Sequence, residues 1–155
     1  METMGSPWEA RVRQQIDEAD VARVLSRVAR AMDQKDWNLL AECYDVEAVG
    51  DYENGLTEGR AAILESAQGF LSAFTATQHL IGNVEVSVTG NAATSHATFV
   101  AQHVLETTEG QQRTLLGGTY DDELVRGPES WRISRRRIRG IWSDGDFAAL
   151  LGHTA

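Results

Sequence analysis

Apolar residues follow two different rhythms along the chain, and the change comes near Phe74. Before it the spacing is helical. Val21, Val24, Leu25, Val28 and Met32 fall at i, i+3, i+4, i+7 and i+11, with Arg23, Arg27 and Arg30 off that stripe, which predicts an amphipathic helix ordered from near Asp17. The period breaks between Asp33 and Asp36, where Asp36 is placed to cap a second, shorter helix with Leu39, Leu40 and Cys43 facing inward. "VEAVGDYENG" reads as a short strand running into a turn at Asn54-Gly55. "TEGRAAILESAQGFLSAF" returns to helix, burying Ile63, Leu64, Ala67, Phe70 and Leu71. Residues 1–15 carry Gly5, Ser6 and Pro7 without a sustained period and read as a loosely held arm or a short leading helix.

After Phe74 the chain turns to Thr- and Val-rich runs separated by "TGN", "TTEG" and "RGPES". These predict strands near 77–88, 93–105, 113–125 and 131–142. The order ααβαββββ argues for an α+β domain in which one strongly bent, mainly antiparallel sheet has helices across its concave face and a pocket between the layers. Glycines inside the strand "LLGGTYDDEL" mark a bulge or bend. No linker or repeat divides the chain, so residues 16–155 read as one domain behind the leading arm.

Charge and cysteine usage narrow the function. A net charge of −9 argues against a nucleic-acid binder, whose affinity comes largely from cations meeting phosphate, and against a strongly anionic ligand. The single cysteine, Cys43, rules out an intrachain disulfide and a thiolate metal cluster, as in a cytoplasmic protein. "METMGSPWEARVRQQ" lacks the apolar core of a secretory signal, and no run approaches the roughly 20 apolar residues that span a bilayer. A cytoplasmic protein that engages no membrane is expected.

Four histidines are the first chemical candidates, because imidazole alone titrates near neutrality without help. His79, in "TATQHLIGNVEV", occupies a strand position that normally carries an apolar residue. For an isolated strand histidine a satisfied structural role is the simpler reading. His96 and His103 lie seven positions apart on one strand, so they point to opposite faces and only one can line the pocket. His153, in the "GHTA" tail, reads as solvated. Asp33 flanks the buried helical stripe near a helix C-terminus, where a carboxylate opposes the macrodipole and calls for a compensating donor such as an imidazolium. Asp51-Tyr52 could bring a phenol to a substrate carbonyl. The arginine run at 135, 136, 137 and 139 divides between the faces of a strand. Asp33, His79 and His103 have the composition of a two-His, one-carboxylate metal set but no tight ligand spacing, and no phosphate loop or nucleophile elbow is present. Neither metal nor organic cofactor is expected.

In order, "AMDQKDWNLL" (31–40), "GDYENG" (50–55), "TQHLIGNVEV" (77–86), "FVAQHVL" (99–105), "GGTYDDEL" (117–124) and "SWRISRRRIRGIW" (130–142) resemble the SnoaL-like branch of the NTF2-like superfamily. The resemblance implies a cone-shaped fold with its active site in the hollow. Within that branch the likeness is to scytalone dehydratases and to hexachlorocyclohexane dehydrochlorinases. It implies Asp33 and His79 as a catalytic dyad, with Tyr52 and, across a short gap, His103 as further catalytic members, and Arg136 as the counterpart of a pocket arginine. Met32, Tyr120, Arg136 and Trp142 are the expected substrate contacts. Three departures alter recognition: Met32 replaces a carbonyl-clamping tyrosine, Gly118 and Tyr120 replace a polar Ser and Asn, and Val28 replaces a pocket lysine. The implied activity is therefore a cofactor-independent lyase or dehydratase that abstracts a proton from a small apolar cyclic substrate, polyketide- or terpenoid-like. A SnoaL-like cyclase or isomerase and a non-catalytic small-molecule binder are the alternatives. A homo-oligomer, trimer or dimer, is expected.

Overall fold

The computed structural model describes residues 6–146, so His153 lies outside the described residues. Helix α1 runs from Pro7 to Gln34 without interruption. Of the two readings of residues 1–15, a loose arm or a leading helix, the structure has helix from Pro7 onward, continuous with the rest of α1, while residues 1–5 lie outside the described residues. Its start is set by local chemistry, which the search for an apolar stripe overlooked: the Ser6 side chain accepts from the Glu9 backbone, Glu9 accepts from the Ser6 backbone at 2.7 Å, and Pro7 occupies the first helical position. Lys35, in the left-handed conformation at φ 54°, ends the helix, and Asp36 caps α2 (Trp37–Glu42) by accepting from the Leu39 N–H at 3.0 Å. Among the described residues no helix is long and apolar enough to cross a membrane.

Strand β1 (Tyr44–Tyr52) turns at Asn54 into β2 (Gly55–Glu58), and α3 (Arg60–Leu71) follows. Then come β3 (Ala76–Thr89), β4 (Ala92–Thr107), β5 (Gly110–Arg126) and β6 (Trp131–Asp144). The sequence pattern does not single out β2, because four mostly exposed residues leave no alternation to read. The sheet is ordered β2-β1-β6-β5-β4-β3, antiparallel except where β1 runs parallel to β6. It is curved and unclosed, and the helices pack into its hollow through Val21, Val28, Leu40 and Ile63, which share a core cluster with Ile133 of β6.

Strict alternation along β4 buries Ala93, Ser95, Ala97, Phe99, Ala101 and His103 and turns Thr94, His96 and Val100 outward. The pairing of β5 with β6 shifts register at Gly117/Gly118, as the glycines imply. A side chain at Gly118 would stand 2.8 Å from Phe99 Cε1 and closer still to the Arg139 carbonyl, so only hydrogen fits beneath the Phe99 ring. Gly118→Ala is accordingly expected to cost about 1–3 kcal/mol through overpacking, read as a lower urea midpoint, and an unchanged midpoint would contradict this packing.

Candidate functional site

Between the helices and the inner face of the sheet lies a cavity of about 210 Å³, suited to a molecule of one or two rings. Its walls are largely apolar, with Met32, Ile63, Phe70, Leu71, Phe99 and Ile138 among them. Into it reach His79, His103, Tyr44, Tyr52, Tyr120 and Arg136.

Alternation on β3 sends Thr77, His79 and Ile81 inward and leaves Leu80 outside. Because β3 is an edge strand, one row of its N–H groups has no strand partner. Asp33, in the last turn of α1, meets that need. One carboxylate oxygen accepts the His79 backbone N–H at 2.9 Å, and the other contacts Thr77 Oγ1 at 3.1 Å and His79 Nδ1 at 2.6 Å. Three donors offset the unfavourable position of a carboxylate at a helix C-terminus. The contact also orients the imidazole: with Nδ1–H donated to Asp33, the lone pair lies on Nε2. Only 6% of the His79 side chain reaches solvent.

His103 lies on the inner face of β4 with its ring 5.8 Å from His79, 4.8 Å from Phe74 and 5.6 Å from Phe70. Burial among these rings, reinforced by the neighbouring His79, lowers its pKa from 6.5 to about 4, so it is neutral around pH 7. The sign of the linkage follows. Below pH 6.5 the unfolded chain binds a proton that the folded chain refuses, so stability falls as pH drops towards about 4 and levels off beneath that. His103→Gln is expected to flatten this part of the stability–pH curve, by up to about 1.4 kcal/mol per pH unit in urea titrations. An unchanged slope would show that His103 protonates equally in both states.

On the opposite wall, Arg136 is only 1% exposed. It is held by Asp122 through two hydrogen bonds, Nε to Oδ1 at 2.8 Å and Nη2 to Oδ2 at 2.6 Å. Its guanidinium stacks 4.3 Å from the centre of the Tyr120 ring, which itself stacks on Phe99 at 4.4 Å. Burial opposes the charge on Arg136, but the adjoining Asp122 more than offsets it and holds the guanidinium ionised. Tyr52 folds back over Gly50, where a side chain would stand 2.7 Å from its hydroxyl.

Of the expected site residues, Asp33 and His79 are in contact, and His79, Tyr52, His103, Met32, Tyr120 and Arg136 all line the one cavity. Trp142 is corrected: it is 46% exposed, packs over Gly117 and is not part of the cavity wall. Asp51 separates from Tyr52 and ties Arg135, Arg137 and Arg139 together on the outer face, at 3.0, 3.3 and 3.3 Å. His96 also lies outside, 2.6 Å from Asp121. Among the described residues no three His, Cys, Asp or Glu side chains gather as a metal site. Sequence reasoning missed Asp122, Tyr44 and Thr77. Asp122 was within reach of it, because it stands two residues after Tyr120 and so shares its face.

The chain belongs to the SnoaL-like domain family, whose model matches residues 13–137. An uncharacterized protein of Mycobacterium tuberculosis is 31% identical over 122 residues, covering 77% of this chain and 82% of that protein. A candidate scytalone dehydratase from Novosphingobium aromaticivorans superposes with a TM-score of 0.77 at 20% identity, covering 85% of this chain and 89% of the other. A hexachlorocyclohexane dehydrochlorinase of type 2 superposes with a TM-score of 0.73 at 19% identity, covering 88% and 90%. These two likenesses are of fold.

Proposed function

We propose that the chain is a cofactor-independent lyase, of dehydratase type, acting on a small apolar cyclic ketone that carries a hydroxyl β to its carbonyl. The observation that carries this reading is the 2.6 Å contact of His79 with Asp33 beside an apolar cavity. His79 Nε2 removes a proton from the carbon next to the carbonyl, and the bonding pair moves onto oxygen as an enolate. Asp33 keeps the imidazole in the accepting tautomer and stabilises the imidazolium that forms. Tyr52 donates a hydrogen bond to the developing enolate. Losing a donor of that kind costs about 3–4 kcal/mol of transition-state stabilisation in other enzymes. Collapse of the enolate restores the carbonyl, forms the carbon–carbon double bond and expels the hydroxyl. His103, neutral, donates a hydrogen bond to that leaving group, and the proton held on His79 completes the water.

The likeness of fold to a dehydratase and a dehydrochlorinase supports an elimination, and the altered positions Met32, Gly118, Tyr120 and Val28 speak for a different substrate from either. Product mass is the test. Incubated with cyclic β-hydroxy ketones, the protein is expected to yield products lighter by one water. Products of unchanged mass would replace this reading with an isomerase or a non-eliminating cyclase, and unaltered substrate with a binding protein. Self-association through the outer sheet face is part of the proposal: Leu80, Val100 and Trp142 stand in one cross-strand row there and are exposed. Sedimentation is expected to give a dimer or trimer.

A further inference from the structure

All three tyrosines of the chain line the one cavity, together with the guanidinium of Arg136. Tyr44 and Tyr120 are each only 4% exposed, and no phenolic hydroxyl of the three has a hydrogen-bond partner among the described residues. None of the three hydroxyls is among the buried polar atoms that lack a partner, so each opens onto the cavity, where a ligand oxygen can pair with it. Arg136 is in the same position. Nε and Nη2 are committed to Asp122, which leaves Nη1 without a protein partner among the described residues. Asp122 has no exposed side-chain surface, and both its oxygens are engaged, so the carboxylate balances the guanidinium without presenting charge to the cavity. The three hydroxyls and Nη1 thus remain available to a ligand in a largely apolar cavity.

We infer that this wall binds an acidic oxygen of the ligand, a phenol, an enol or an enolised 1,3-dicarbonyl, as its oxyanion, through the hydroxyls of Tyr44 and Tyr120 and Nη1 of Arg136. Preorganised donors of this kind stabilise developing negative charge most strongly where water is excluded. Burial pushes Tyr120 up to about 12 and raises Tyr44 as well, so both keep their protons while the ligand gives up its own. A ligand that arrives neutral and ionises on binding is also compatible with a chain whose net charge of −9 repels preformed anions. The inference rests on the proposed function for the ligand being the substrate, whose class it narrows to hydroxyaromatic or enolisable oxygenated rings and away from halogenated hydrocarbons.

The probe is 4-nitrophenol, whose ionised form alone absorbs visible light. At a pH about one unit below its free pKa, the bound phenol is expected to show roughly a fivefold or greater rise in ionised fraction. Tyr44→Phe/Tyr120→Phe should abolish that rise, and so should Arg136→Met paired with Asp122→Leu, which leaves no charge stranded. His79→Gln is measured alongside to separate proton uptake by the imidazole from stabilisation of the oxyanion by Tyr44, Tyr120 and Arg136. Binding of the neutral form only, or no binding, overturns the inference. So does an ionisation that survives the double Phe variant, or one that disappears with His79→Gln, since imidazole would then be the group responsible. Because the readout involves no turnover, failure of the proposed elimination leaves this result standing, and the reverse also holds.

Discussion

Asp33→Asn is expected to leave the protein folded and to slow carbon deprotonation by roughly 10²–10⁴-fold. The amide is nearly isosteric, and its oxygen can still accept the His79 backbone N–H that Asp33 accepts at 2.9 Å, so the α1–β3 junction should hold. The tautomer changes instead. An Asn nitrogen facing Nδ1 is a donor, which favours a proton on Nε2 and removes the lone pair that would attack the substrate. The negative charge that stabilises the imidazolium is lost at the same step. The measurement is kcat together with the urea midpoint. A kcat within a few-fold of wild type, at equal stability, would assign Asp33 to strand-edge capping alone.

Asp122→Ala should have the largest effect on stability. Removing the carboxylate strands the guanidinium of Arg136 in a site where it is 1% exposed, and breaking a buried pair in this way costs about 3–5 kcal/mol. Against a total stability of roughly 5–15 kcal/mol, that loss leaves the protein partly unfolded or close to it. Replacing both partners by apolar residues, Asp122→Leu with Arg136→Met, removes the stranded charge and is expected to recover most of the loss. The comparison is made by urea unfolding of the single and double variants. A single variant as stable as wild type would mean that the Arg136 charge reaches water, contrary to the geometry.

The expected strands agree with those found to within a few residues, because alternation of Thr and Val with buried positions is a direct imprint of a half-buried sheet. The same alternation places His96 and His103 on opposite faces, as the structure shows. It fails where the sheet bulges. On β6, Trp131 and Ile133 face inward, and unbroken alternation would send Arg135 and Arg137 after them. A register shift between Ile133 and Arg135 inserts Ser134, reverses the phase and turns Arg136 in towards Asp122. A second shift, between Gly140 and Trp142, reverses it again, which removes Trp142 from the cavity.

Other parts of the site depend on tertiary geometry that no local pattern records. A carboxylate near a helix C-terminus signals an unmet need but not that Thr77 and His79, 44 and 46 positions later, would meet it. Alternation divides the arginines at 135, 136, 137 and 139 between two faces but does not show which acid holds each set: Asp51 takes the three outer guanidinium groups and Asp122 the one inner. Tyr44, at the junction of α2 and β1, drew no attention because a tyrosine at a strand start most often only packs.

The central claim is that His79 moves a proton to and from carbon. Its most direct test is exchange of the α-protons of a tetralone for deuterium, followed by proton NMR in D₂O with wild-type protein and with His79→Gln. The wild type is predicted to exchange them well above the buffer rate, and His79→Gln to lose at least about a hundredfold of that rate. Exchange in His79→Gln within a few-fold of wild type would contradict the account.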